Sequence, residues 1–337
     1  MEKIKVLVTV NLPASAIQKL SEISPRLEVI QHEARTPEEV RPYLQGVEVL
    51  YTWRAIPLPE DAPDLRWVQL HSAGADDIIT TPLYQQTEVR FTTVSGIHAV
   101  TMAEYVLAQM LAFAHHLPRM IEDKAAKTWP QNRWERYLPY ELREATLGVV
   151  GYGSIGREIA RLGAAFGMQV LAVKRSIREL ADPSYILPGV GDPEGDIPDR
   201  FYPPEALHSF LGACDYVVLT VPLTPETHHL IDGPALAAMK KTAVLINVAR
   251  GPVVDEQALV EALAAGQIRG AALDVFEAEP LPEDSPLWEA PNLIISPHIS
   301  GFSSRYNERA ADVFATNLAR YVAGDPLLNQ VDRERGY

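Results

Sequence analysis

The chain has 337 residues, 47% of them hydrophobic and 22% charged, with a net charge of −14. That length suggests two domains, and the composition is that of a soluble globular protein with enough apolar mass for a packed core. The acidic balance excludes a broadly basic face for nucleic acid or an anionic membrane, while a small anionic substrate needs only local positive charge.

The first ten residues, MEKIKVLVTV, read as a strand behind a short charged lead rather than as a signal peptide. Strand and helix patterns then alternate: strand 4–10, helix 14–23, strand 27–30, strand 47–51 and strand 67–70. Thr36-Pro37-Glu38-Glu39 has the cap, the proline and the acids of a helix start. These repeats predict a β/α unit with a parallel sheet. Residues 98–116 are apolar around most of a helix and are expected to be buried between domains. Residues 117–143 carry three prolines and the aromatics Trp129, Trp134, Tyr137 and Tyr140, and read as an irregular arm. Aromatic enrichment favours a contact with a second copy, so a homodimer is expected.

Strand, tight turn and helix meet in LGVVGYGSIGREIARLGAAF, residues 147–166. Gly151, Gly153 and Gly156 stand in G-x-G-x-x-G spacing between an apolar run and an amphipathic one. In that context the spacing predicts a dinucleotide site. The first glycine permits the turn, the second lets backbone approach a pyrophosphate, and the third lets helix pack on strand. The helix N-terminus then offers unpaired N–H groups to the phosphates.

The next strand, 168–173, ends in Lys174-Arg175-Ser176. An acid at that place would bind the ribose hydroxyls of NAD. Two cations and a hydroxyl suit a 2′-phosphate instead, which predicts NADP(H) over NAD(H). Residues 182–204, rich in Pro, Gly and Asp, read as an inserted surface loop. Further elements are helix 205–211, strands 216–221 and 243–248, helix 255–265, strands 270–273 and 293–296, and helix 302–322. The single cysteine, Cys214 in LGACDYVVLTV, reads as a core thiol. No apolar run approaches the roughly 18 residues of a membrane span, so a cytoplasmic protein is expected. No metal site is read.

Three strand exits carry candidate chemistry. Asn247-Val248-Ala249-Arg250-Gly251 offers an arginine that can clamp a carboxylate with two parallel hydrogen bonds. Residues 273–280, LDVFEAEP, offer Glu277 and Glu279, and residues 296–301, SPHISG, offer His298. Convergent polar groups at the carboxyl edge of a doubly wound sheet form the pattern of a site.

On GYGSIG (151–156), VPLTPETHHLI (221–231), NVARG (247–251), LDVFEAEP (273–280) and SPHISG (296–301), the chain resembles the D-isomer-specific 2-hydroxyacid dehydrogenases. The resemblance spans nearly the whole chain and is firmest over 146–301. It implies an α/β protein of two doubly wound parallel-sheet domains. A Rossmann cofactor domain (99–301) would be inserted in a flavodoxin-like substrate domain (1–98 and 302–337). It implies Arg250, Glu279 and His298 as the catalytic set, the glutamate being the one directly before Pro280. Cofactor contacts are implied at Gly151, Gly153, Ser154, Ile155, Gly156, Pro222, Thr227, Val248, Ala249 and Asp274, to which the charge reading adds Lys174, Arg175 and Ser176, where the chain departs from the family's usual acid. Substrate carboxylate would be held by Arg250 and the backbone of the 72–75 loop (Ser72, Ala73, Gly74), with His298 as proton donor. The implied activity is NADP(H)-linked interconversion of glyoxylate, hydroxypyruvate or a similar 2-keto acid with its D-2-hydroxy acid. A larger or aromatic substrate, or a dinucleotide-sensing corepressor of the same fold, is the alternative.

Overall fold

The computed structural model describes residues 3–75, 77–182 and 184–333. Met1 and Glu2 of the charged lead, Pro183 of the predicted loop and residues 334–337 of the predicted first domain lie outside the described residues. The chain separates into two compact units: Met1–His98 with Pro183–Leu187 and Ser303–Tyr337, and Ala99–Asp182 with Pro188–Phe302.

In the first unit, β1 (Ile4–Val8), β2 (Leu27–Gln31), β3 (Val47–Thr52), β4 (Trp67–Leu70) and β5 (Arg90–Thr92) form one sheet in the order β2-β1-β3-β4-β5. Every pairing is parallel, which gives the flavodoxin-like arrangement. Alternate side chains leave opposite faces of each strand, and here both faces are apolar and covered. Leu7, Leu50 and Val68 pack with Val40, Leu44 and Leu83 on one side. Val6, Val49 and Trp67 pack with Leu20, Phe314 and Leu318 on the other. The capping sequence at Thr36 works as read, its hydroxyl accepting from the Glu39 N–H at 3.4 Å, though the helix it starts is only Pro37–Val40.

His71, at the exit of β4, is 1% exposed. Its Nε2 faces Asn307 Oδ1 at 3.1 Å, so that nitrogen donates, and its Nδ1 is left to accept from the Tyr51 hydroxyl at 2.5 Å. The neutral ring is thereby satisfied on both sides, and burial lowers its pKa from 6.5 to about 4. The unfolded chain therefore binds the extra proton between those values, so stability is full above about pH 6.5 and is lost as pH falls toward 4. The contribution is roughly 3 kcal/mol. Chemical denaturation is expected to show that decline in the natural protein and a shallower one in His71→Gln.

In the second unit, seven strands run parallel: β6 (Thr146–Val150), β7 (Gln169–Val173), β8 (Arg200–Tyr202), β9 (Tyr216–Leu219), β10 (Val244–Asn247), β11 (Gly270–Leu273) and β12 (Leu293–Ile295). Their order, β12-β11-β10-β9-β6-β7-β8, is that of the Rossmann fold with one strand added beyond the sixth. The chain reverses direction of travel across the sheet between β6 and β9, and doubly wound sheets bind dinucleotides at that switch point. The apolar helix Ala99–Ala114 buries one face. Its described packing lies inside this unit, where Met102, Val106 and Met110 meet Leu147, Val149 and Ile159.

Two loop expectations need correction. The 117–143 arm is partly helical, with Leu117–Ala125 and a turn at Arg133–Arg136, because Asp123 accepts from Arg136 and Tyr137 and folds the arm onto itself. The 182–204 segment is no plain surface loop. It contributes β8 at the sheet edge, and its Asp192 is buried. Cys214 is a core thiol whose pKa burial pushes up to about 12. No helix among the described residues is long and apolar enough to cross a membrane.

Candidate active site

The glycine turn leaves β6 at the switch point. Gly151 has φ +100°, and a Cβ there would meet Val221 at 2.9 Å. A Cβ at Gly156 would collide with the Gly151 carbonyl and lie 2.9 Å from Val149, so only glycine lets the helix Ser154–Ala165 start this close to the strand. At Gly153 a Cβ would meet nothing within 4 Å. That open side is where a pyrophosphate would approach. Ser154 and Ile155 open the helix beside it, and the first-turn N–H groups have no intrahelical partner. The Thr220 hydroxyl donates to the Gly151 carbonyl at 2.6 Å and ties the turn to the end of β9. The residues present fit a dinucleotide.

Lys174, Arg175 and Ser176 follow β7, the last two exposed. The Lys174 ammonium donates to the Glu179 carbonyl, and burial together with the Arg157 cation lowers its pKa. Thr227 closes its own turn, donating to the Pro222 carbonyl at 2.7 Å and accepting from the Thr224 N–H at 2.8 Å.

β10, β11 and β12 are neighbours in the sheet, so their C-terminal exits share one edge. After β10, Asn247 is buried and braces the bend: its amide donates to the Arg250 carbonyl and its oxygen accepts from the Ala249 N–H, each at 3.0 Å. Val248 and Ala249 are buried within the bend, and Arg250 emerges exposed, one guanidinium nitrogen donating to the Ala249 carbonyl at 2.9 Å. Gly251 then lies against the next exit. A Cβ there would fall inside the Phe276 carbonyl group and the Glu277 nitrogen.

After β11 the two glutamates part. Glu279 Oε2 lies 2.7 Å from His298 Nδ1, and its Oε1 accepts from the Phe276 N–H at 3.0 Å. Glu277 instead faces His229 Nε2 at 3.0 Å, while its N–H donates to Glu256 at 2.7 Å. After β12, His298 has φ +50° and a side chain 51% exposed. With Nδ1 committed to the carboxylate, Nε2 is the nitrogen that can exchange a proton with a bound molecule.

Asp274, expected among the cofactor contacts, also anchors the next loop. It is fully buried, and its carboxylate accepts from the Ser296 hydroxyl at 2.5 Å and from the Ile299 and Ser300 N–H groups at 2.9 Å. Its carbonyl accepts from the His298 N–H at 2.8 Å. This one residue folds the 296–300 loop that carries His298, and Tyr105, 2.6 Å from the Ser296 hydroxyl, extends the chain of bonds. Nothing in the sequence marked Tyr105. In the first unit, Ser72, Ala73 and Gly74 form a tight bend after His71, the Ser72 hydroxyl donating to the Gly74 carbonyl at 2.8 Å. Ser95 donates to the Ala73 carbonyl at 3.1 Å.

Residues 107–300 match the sequence pattern of the D-isomer specific 2-hydroxyacid dehydrogenase NAD binding domain. A glyoxylate reductase of Korarchaeum cryptofilum is 33% identical over 98% of this chain and 97% of its own length. A D-isomer specific 2-hydroxyacid dehydrogenase of Xanthobacter autotrophicus, solved with NADPH and MES, superposes with a TM-score of 0.77 at 32% identity, covering 100% of both chains. The NADPH-dependent glyoxylate/hydroxypyruvate reductase of Sinorhizobium meliloti, solved with NADP and sulfate, gives a TM-score of 0.75 at 27% identity, covering 99% of this chain and 100% of its own.

Proposed function

Since this chain belongs to the D-isomer specific 2-hydroxyacid dehydrogenases, we propose that it is an NADPH-linked reductase of a small 2-keto acid such as glyoxylate or hydroxypyruvate, yielding the D-2-hydroxy acid. The observation that carries this reading is the 2.7 Å contact between Glu279 and His298, beside the strand exit that bears Arg250.

A bound reduced nicotinamide supplies the hydride. The Arg250 guanidinium clamps the substrate carboxylate and polarises the keto oxygen, a bidentate role that a lysine point charge would fill poorly. His298, oriented by its Nδ1 contact with Glu279, gives a proton from Nε2 to the oxygen that becomes the hydroxyl. Glu279 fixes the ring orientation. In the reverse direction His298 takes the proton back. Arg175 and Ser176, with Lys174 behind them, are assigned to the 2′-phosphate.

The 117–143 arm is proposed as the contact with a second copy. Ile121, Trp129, Trp134 and Leu138 are all exposed on it, with Trp129 at 78%. Four large apolar side chains exposed on one short segment favour an interaction site there.

Steady-state rates with both nucleotides and a panel of 2-keto acids test the cofactor assignment. We expect kcat/KM with NADPH to exceed that with NADH by about tenfold or more, the scale of one charge-assisted contact. A higher value with NADH would overturn that assignment. Nucleotide binding without turnover of any 2-keto acid would favour the sensing alternative.

A further inference from the structure

Arg157 stands in the first turn of the helix that begins at the glycine turn and is 1% exposed. An arginine buried that deeply is costly unless its charge and donors are matched. Here the matching groups all come from one downstream stretch. The guanidinium donates to the carbonyls of Leu180 and Asp192, and its Nε faces the Asp182 carboxylate at 3.3 Å as an ion pair without hydrogen-bond geometry. Its Cζ lies over the Tyr152 ring, 4.8 Å from the ring centroid. Tyr152, inside the glycine motif, donates to Asp192 at 2.6 Å, and Asp192 also accepts from the Asp196 and Ile197 N–H groups. The next residue, Glu158, is 2% exposed and accepts from the Gly191 N–H at 2.6 Å.

These bonds bear on the cation turn. Lys174 is tied to the Glu179 carbonyl, while Leu180 and Asp182 are tied to Arg157. The stretch 174–182 is thus fastened at both ends, with Arg175 and Ser176 exposed between. A segment already ordered loses less conformational entropy when it binds a ligand. We propose that Arg157 is the positioning residue for cofactor choice: by clamping Leu180 and Asp182 it holds the Arg175–Ser176 tip in place to bind the 2′-phosphate of NADPH. The same helix then serves the pyrophosphate at its N-terminus and, through Arg157, the 2′-phosphate. This rests on the NADPH reading above.

The test is equilibrium binding to the full-length protein of NADPH, NADH, 2′,5′-ADP and 5′-AMP, with limited trypsin digestion of the ligand-free protein. In Arg157→Gln we expect the Kd for NADPH and 2′,5′-ADP to rise about tenfold or more. Those for NADH and 5′-AMP should stay within about twofold, and new cleavage should appear after Lys174, Arg175 or Arg178. Asp182→Asn keeps the side-chain size and leaves Arg157 in place; it should move the same ratio in the same direction by less, and it serves if Arg157→Gln does not fold. Equal weakening of all four ligands, or an unchanged Kd for 2′,5′-ADP, overturns the role given to Arg157 while leaving the NADPH reading intact. A natural protein that binds NADH more tightly than NADPH overturns that reading and this one together.

Discussion

His298→Ala is expected to lower kcat for 2-keto acid reduction by about 10²–10⁴, the range of general acid catalysis. KM should change little, because the carboxylate clamp proposed for Arg250 is untouched and the lost interaction is made in the transition state. Nucleotide affinity should be unchanged, since the ring is held by Glu279 and by the Asp274-anchored loop rather than by the glycine turn. Pre-steady-state reduction with a saturating keto acid reads the chemical step directly. Turnover within a few fold of the natural rate would remove His298 from the proton transfer.

Gly251→Ala is expected to lower kcat/KM by about a hundredfold and stability by about 1–3 kcal/mol. The new methyl would overlap backbone, not the end of a pliable side chain, so the 247–251 bend and the 276–279 turn must separate. Those two segments carry Arg250 and Glu279. Moving either by about an ångström spoils the alignment on which catalysis depends. The outcome to measure is the pair of effects together. Normal kcat/KM with normal thermal stability would show that the two exits are not pressed together as described. Ala262→Gly, in the helix Glu256–Ala264, makes a control, since it perturbs stability without touching either segment.

Much of this was legible before the fold was known, and the reasons differ by element. The glycine turn was readable because each glycine answers a local steric demand that spacing alone encodes. The strands of the second unit other than β8 were readable because both sheet faces are covered and the runs are nearly continuous in apolar residues. The separation of Glu279 from Glu277 was implied by the residue before the proline, and the geometry pairs one with His298 and the other with His229. The anchoring bonds of Asp274 are not legible in the sequence, because its partners, Ser296, Ile299 and Ser300, lie more than twenty residues away. The 182–204 stretch looked like surface for its Pro, Gly and Asp content. Its order comes from Arg157 and Glu158, which lie some 25 residues earlier or more and carry no local sign of their long-range partners. Strand β5 and the helix Pro82–Gln86 are too short to show a period.

The central claim is that hydride reaches the keto carbon of a small 2-keto acid held by Arg250 and protonated by His298. Its most direct test is reduction of hydroxypyruvate by the full-length protein with NADPH, following nicotinamide oxidation and resolving the product on a chiral column. The account predicts stoichiometric consumption of NADPH and a single product, the D-2-hydroxy acid. Formation of the L enantiomer, or no consumption of NADPH with hydroxypyruvate, glyoxylate or any other 2-keto acid, would contradict it.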